Sequence, residues 1–185
     1  MDDFGDWAGD PGVLRFERML PAPPDEVWRR IVRPEAHTRW FPCRIDGDLE
    51  TAGSELAFVF ADEAVPLTHG RVRSVSPGSS LRFDWGDEAL GFELAAAAEG
   101  RTHLVFTNVL APGDHRSAAR TAASWHECLD GFAGFLVDGE SRMDAAGGDR
   151  PPRADWFAHY DEYVRRGVPH GVPLPGRSHT EPGSG

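Results

Sequence analysis

DHRSAARTAASWHECLDGFAGFLVDG, residues 114–139, reads as one long amphipathic helix. At about 100° per residue, Ala118, Thr121, Ala122, Trp125, Cys128, Leu129, Phe132, Phe135 and Leu136 fall on one face. Arg120, Glu127, Asp130, Gly131, Gly134 and Asp138 fall on the other, the pattern of a helix laid on an apolar surface. Asp114 is the expected N-cap, following Pro112-Gly113, and Gly139 the expected C-terminal stop. At 1.5 Å rise per residue the helix spans roughly 40 Å. A stripe of that length needs an extensive apolar surface to lie on.

The segments before it supply one. Residues 54–61 alternate with Leu56, Phe58 and Phe60 on one face, and 81–85 place Leu81, Phe83 and Trp85 opposite Arg82 and Asp84. Residues 88–97 put Leu90, Phe92 and Leu94 inward, and 101–110 do the same with Leu104, Phe106 and Asn108. Strands are also expected at 13–20, 44–49 and 68–75. The links Pro77-Gly78-Ser79-Ser80, Gly86-Asp87 and Glu99-Gly100 are hairpin-like, so the strands run antiparallel. A sheet with one aromatic-rich face needs a cover, and the long helix is the element large enough to provide it. In the first strand Leu14, Phe16 and Arg18 share a side. Between the first and second strands, Pro23-Pro24-Asp25 opens a short helix to residue 32, with Val27, Trp28 and Ile31 as its buried set. Pro34 starts another through Thr38, ending at Trp40-Phe41-Pro42. A last helix is expected over 154–166, with Trp156, Tyr160, Tyr163 and Val164 on one side. Residues 1–12 read as a flexible lead, 13–167 as a single domain and 168–185 as a disordered tail.

Composition bounds the function. The formal net charge is −11, and all 19 basic residues other than histidine are arginine. An acidic chain is poorly matched to nucleic acid or to an anionic membrane. Without lysine, Schiff-base chemistry and a phosphate-loop lysine are excluded. The two cysteines, Cys43 and Cys128, read as free thiols in a reducing compartment. No apolar run approaches the roughly 20 residues of a membrane span, and the start of the chain is no signal peptide. A cytoplasmic location is therefore expected, with no membrane insertion.

The order of elements, and the motifs Arg15-Phe16-Glu17-Arg18, Pro21-Ala22-Pro23, Val27-Trp28 and Trp40-Phe41, resemble a known family. So do Gly70-Arg71-Val72, Pro77, the strand ending in Trp85, the pair Trp125 and Leu129, and the pair Trp156 and Tyr160. Together they are similar to the activator of heat-shock-protein-90 ATPase homologue family, in the START/Bet v-type (SRPBCC) superfamily. The resemblance runs from about Leu14 to Tyr163. It implies an α+β helix-grip fold, in which a curved antiparallel sheet wraps around a long C-terminal helix and two short helices follow the first strand. It also implies a hydrophobic space between sheet and helix, open at one end.

The candidate lining of that space is Phe58, Phe60, Phe83, Trp85, Phe92, Leu94, Leu104 and Phe106 from strands, with Trp125, Leu129 and Phe132 from the helix. Two readings of these side chains stay open: a pocket for a small apolar molecule, or a filled core. Trp40-Phe41 and Trp85 are candidates for its mouth. Two polar groups accompany them. Asn108 should point inward and then needs a partner or a ligand, nearby backbone being the simpler one. His126 sits at the edge of the stripe, where it could anchor a ligand, act as a base or simply touch solvent, with Asp130 four residues on as a surface partner. His126-Glu127-Cys128 does not place ligands on one helix face, and no other histidine shows metal spacing, so no metal and no cofactor are expected. Ser124 is badly placed to pair with His126. The leading expectation is non-catalytic binding of a small hydrophobic or amphipathic molecule. The alternatives are a chaperone-cofactor or other protein-interaction module and, third, a cyclase- or hydrolase-like enzyme.

Overall fold

The computed structural model describes residues 3–60, 68–139 and 154–174. An eight-stranded antiparallel sheet dominates it, in the order β1-β2-β8-β7-β6-β5-β4-β3. The strands are β1 (Asp6–Ala8), β2 (Val13–Leu20), β3 (Arg44–Asp46), β4 (Glu55–Val59), β5 (Thr68–Ser76), β6 (Ser80–Trp85), β7 (Glu88–Ala96) and β8 (Thr102–Val109). The helices are α1 (Pro24–Val32), α2 (Pro34–His37), α3 (Ala118–Asp138) and α4 (Ala154–Arg165). The sheet is curved and unclosed, α3 lies on its inner face, and the architecture is the α+β helix-grip fold that the family resemblance implies.

Alternation decides which face is inner. Along β8, Thr102, Leu104, Phe106 and Asn108 are buried while their neighbours are partly exposed. Leu81 and Phe83 of β6 and Leu90, Phe92 and Leu94 of β7 are buried on the same face. The registers Phe83↔Leu90 and Phe92↔Phe106 bring the aromatic positions of adjacent strands together. Proline opens both short helices, where a missing N–H costs nothing. His37 joins α2 to β3. Its Nε2 donates to the Ile31 carbonyl at 2.8 Å, and its Nδ1 accepts from the Ile45 amide at 3.3 Å. That arrangement suits the neutral ring, and burial lowers the His37 pKa accordingly.

Several expectations change. The lead read as flexible contributes β1, paired with β2 through Trp7↔Leu14. Residues 114–117 form a 3-10 turn, and α3 begins only at Ala118. Asp114 is therefore no N-cap; its carbonyl instead accepts from Ser117 Oγ at 2.7 Å. Gly139 does end the helix in the left-handed conformation, at φ 72°. Gly131 and Gly134, expected on the polar side, are buried. Besides the sheet, a second helix packs on part of α3. The sheet takes the Trp125 stripe, and α4 docks elsewhere on α3, with Trp156 Nε1 donating to Ser124 Oγ at 3.1 Å. The first part of the expected tail also packs on α3. Val168 is buried, and the Ala119 amide donates to the Pro169 carbonyl at 2.9 Å. The rest of that tail, 175–185, the loop 140–153 and the proline-containing loop 61–67 lie outside the described residues.

Candidate functional site

The fold gathers the predicted lining into one cluster between sheet and helix. Phe58, Phe83, Phe92, Leu94, Leu104, Phe106, Trp125, Leu129 and Phe132 are all buried. Their rings touch in series: Phe83 on Phe92 at 6.2 Å, Phe92 on Phe106 at 5.0 Å and Phe106 on Trp125 at 4.6 Å between centroids. Trp40 stacks on Phe132 at 4.3 Å. The space bounded by Ile31, His37, Trp40, Phe41, Ile45, Leu49, Phe83 and Phe92 has no room for a water molecule. Among the described residues the expected open space is a packed aromatic layer, because the large rings fill what smaller side chains would leave vacant. Trp40 and Phe41 are buried inside this layer and not at a mouth.

One end of the layer is less closed. Phe60 and Trp85 are only partly buried, and Trp85 leans on Phe41, Phe58 and Trp125 at 5.5, 5.6 and 5.7 Å. A polar chain enters at the same end. Trp125 Nε1 donates to Asn108 Oδ1 at 2.8 Å, and Asn108 Nδ2 donates to Glu88 Oε2 at 2.8 Å. Asn108 is fully buried, and side chains rather than backbone satisfy it. Burial pushes the Glu88 carboxyl above the usual range, Asn108 pulls it down, and the charge of Asp114 pushes it up again. The sequence reading missed Glu88, although the inward alternation Leu90-Phe92-Leu94, continued two residues back, arrives at it.

Because the native state holds the Glu88 proton more tightly than an unfolded chain, this group's contribution to stability falls as pH rises. The window begins near the unperturbed carboxyl pKa of about 4.3 and ends at the raised native value. Glu88→Gln should therefore flatten the stability profile on that acid flank. Chemical unfolding of both proteins across that flank measures the difference.

A second polar cluster lies where α3, α4 and β2 meet. His126, expected at a wet boundary, is only 4% exposed. Its Nδ1 lies 3.0 Å from the Tyr163 hydroxyl, which accepts the Gly5 amide hydrogen at 3.0 Å. Its Nε2 lies 3.5 Å from Asp130 Oδ2, and Arg18 Nη2 lies 3.6 Å from Asp130 Oδ1. The His159 ring stacks on His126 at 4.0 Å and 21°. Burial pushes the Asp130 carboxyl up while Arg18 and His159 pull it down, and burial pushes the Tyr163 phenol up to about 12. One sign of this cluster was readable beforehand, Arg18 on the inner side of its strand.

Nucleophilic chemistry finds little support among the described residues. Burial pushes the thiol pKa values of Cys43 and Cys128 up, which disfavours the thiolate. Ser124 Oγ donates to the Arg120 carbonyl and accepts from Trp156, so it does not pair with His126. No helix among the described residues is long and apolar enough to cross a membrane.

Comparison with known families gives one decisive match. The profile described as "Activator of Hsp90 ATPase homolog 1-like protein" matches residues 21–136, well over half of the chain. The chain belongs to this activator-homologue family. Solved structures agree on the fold. A conserved protein of unknown function from Enterococcus faecalis is 17% identical, with TM-score 0.65 and 84% of each chain covered. CalU16 from Micromonospora echinospora is 18% identical, with TM-score 0.63 over 91% of this chain and 96% of its own. The Aha1 dimer from Colwellia psychrerythraea is 16% identical, with TM-score 0.58 over 69% of this chain and 97% of its own. No curated protein matches by sequence. Within the activator-homologue chain, the matched segment contains the whole Glu88–Asn108–Trp125 relay, whereas Arg18, His159 and Tyr163 lie outside it.

Proposed function

We propose that this protein is a non-catalytic binding domain for a small apolar or amphipathic molecule, taken between the sheet and α3. The observation that carries the reading is the polar relay Glu88–Asn108–Trp125, set into the partly exposed aromatic end beside Trp85 and Phe60. Pockets for such molecules combine apolar walls with a few placed polar groups. Here the walls are closed on one another, so the ligand enters by displacing rings at the Trp85 end. The observed affinity is then weakened by the fraction of time the layer is open. A hydroxyl or amine on the ligand would meet Glu88 or Asn108 as they give up their present bonds. Two buried free thiols agree with a reducing, cytoplasmic setting.

Native mass spectrometry of the purified full chain tests this directly. The expected result is a co-purifying small molecule bound one to one, and saturable quenching of tryptophan emission when it is returned to stripped protein. Emission unaltered by any extracted or added apolar molecule would overturn the reading.

The family's description favours a second reading, a cofactor of the heat-shock-protein-90 ATPase. Stimulation of that ATPase by this protein, unaffected by substitutions at Trp85 and Glu88, would select it over ligand binding.

A further inference from the structure

We infer that His126, Asp130 and His159 form a binding site for one divalent transition-metal ion of the zinc type. Each offers a ligand atom, and the three atoms lie within 4.8 Å of one another. Around tetrahedral zinc, with bonds of about 2.0–2.2 Å, neighbouring ligand atoms stand roughly 3.3 Å apart. Bringing the three onto one ion shortens these separations by about 1.5 Å and turns the His126 and His159 rings out of their present stack, because each nitrogen lone pair lies in its own ring plane. His126 and Asp130 are four residues apart on α3, so they share a helix face. His159 comes from α4 and is the group that spacing along the chain could not reveal.

Three independent features point the same way. His159 Nδ1 is buried without a hydrogen-bond partner, a state that natural structures rarely leave uncompensated. Of the two ligands on α3, His126 already has the hydrogen-bonded outer partner that metal ligands usually have, and Asp130 has the Arg18 guanidinium at ion-pair distance only. The Tyr163 hydroxyl holds His126 through Nδ1, which turns Nε2 toward Asp130. Arg18 sits on Asp130 Oδ1, leaving Oδ2 on the side of His126. Arg18 opposes the ion's charge, but it stands on the carboxylate oxygen away from His126 and orients that group. Two imidazoles and one carboxylate suit zinc and its neighbours in the first transition row, and suit magnesium or calcium poorly. Three protein ligands leave a coordination position for water or a small anion.

The test uses tag-free full-chain protein, stripped with a chelator and titrated with zinc chloride by calorimetry. Cobalt(II) is followed in parallel by its visible absorption, which reports the ligand geometry. One equivalent should bind, and zinc should raise the melting temperature. Losing an outer partner alone costs metal sites about 10–100-fold in affinity. His159→Ala and Asp130→Asn should therefore each weaken binding at least about tenfold, while His115→Ala leaves it unchanged. His159 and Asp130 are more exposed than His126, so these variants test the site without emptying the core. Absence of saturable one-to-one binding, or equal affinity in wild type and His159→Ala, would overturn the assignment.

Discussion

Trp125→Ala is expected to lower the unfolding free energy by about 3–5 kcal/mol, the usual range for deleting a large buried aromatic side chain. Three losses combine. The indole is 4% exposed and packs on Phe41, Trp85 and Phe106. Its removal leaves a void that large neighbouring rings fill only in part. It also strips Asn108 Oδ1 of its donor in a fully buried position. Trp125→Phe keeps an aromatic ring but removes the N–H together with the smaller ring of the indole, so it should cost about 1–3 kcal/mol for the unsatisfied buried acceptor plus a smaller void than alanine leaves. Urea titration measures both, with the midpoint falling at constant slope. A loss below about 1 kcal/mol for the alanine variant would mean that this indole does not close the core.

Gly70→Ala should be comparably severe for a different reason. A Cβ on residue 70 would stand 1.8 Å from the Asp84 carbonyl oxygen and 3.1 Å from the Phe58 ring. The first obstacle is backbone, fixed within β6, and no side-chain rotation removes it. The strands β5 and β6 must part at the end of their pairing farthest from the connecting turn, where the Gly86 amide donates to the His69 carbonyl at 3.0 Å. The expected cost is about 3 kcal/mol or more, at the upper end for overpacking. It should come with loss of near-ultraviolet dichroism from Trp85. Gly91→Ala is the informative contrast. There the nearest atom, at 2.5 Å, is the Thr107 hydroxyl oxygen, which can swing away. If Gly70→Ala proved no worse than Gly91→Ala, the close approach of β5 to Asp84 would be wrong. The glycine of Gly70-Arg71-Val72 thus has a steric cause beyond its place in a motif.

What the sequence made legible was whatever depends on short-range periodicity. Leu81, Phe83, Leu90, Phe92, Leu104 and Phe106 declare their faces because a strand alternates every two residues. Gly139 declares the end of α3 because few other residues accept its conformation. The burial of His126 against α4 was not legible. A helical wheel shows where polarity changes but not that a second helix will cover the polar side. Asn108 was rightly turned inward, yet its partner Glu88 comes from the adjacent strand and needed the register. Whether the aromatic face encloses space or fills it is a matter of volume, and alternation carries no information about volume. His159 reaches His126 across a long stretch of chain, so no motif spacing could announce their meeting.

Both lateral margins of the sheet, among the described residues, end in strands of only three residues, β1 and β3. The two border strands themselves offer very few unpaired amide and carbonyl groups to an incoming chain, although β1 covers only residues 13–15 of β2 and β3 only 57–59 of β4. On β3, Arg44 and Asp46 add exposed charges of opposite sign, bound to each other at 2.7 Å. Short, charged borders are a natural defence against runaway strand addition. An eight-stranded sheet this rich in aromatic residues would otherwise be a good template for aggregation. Borders of this kind disfavour polymerisation by strand addition when the protein is concentrated.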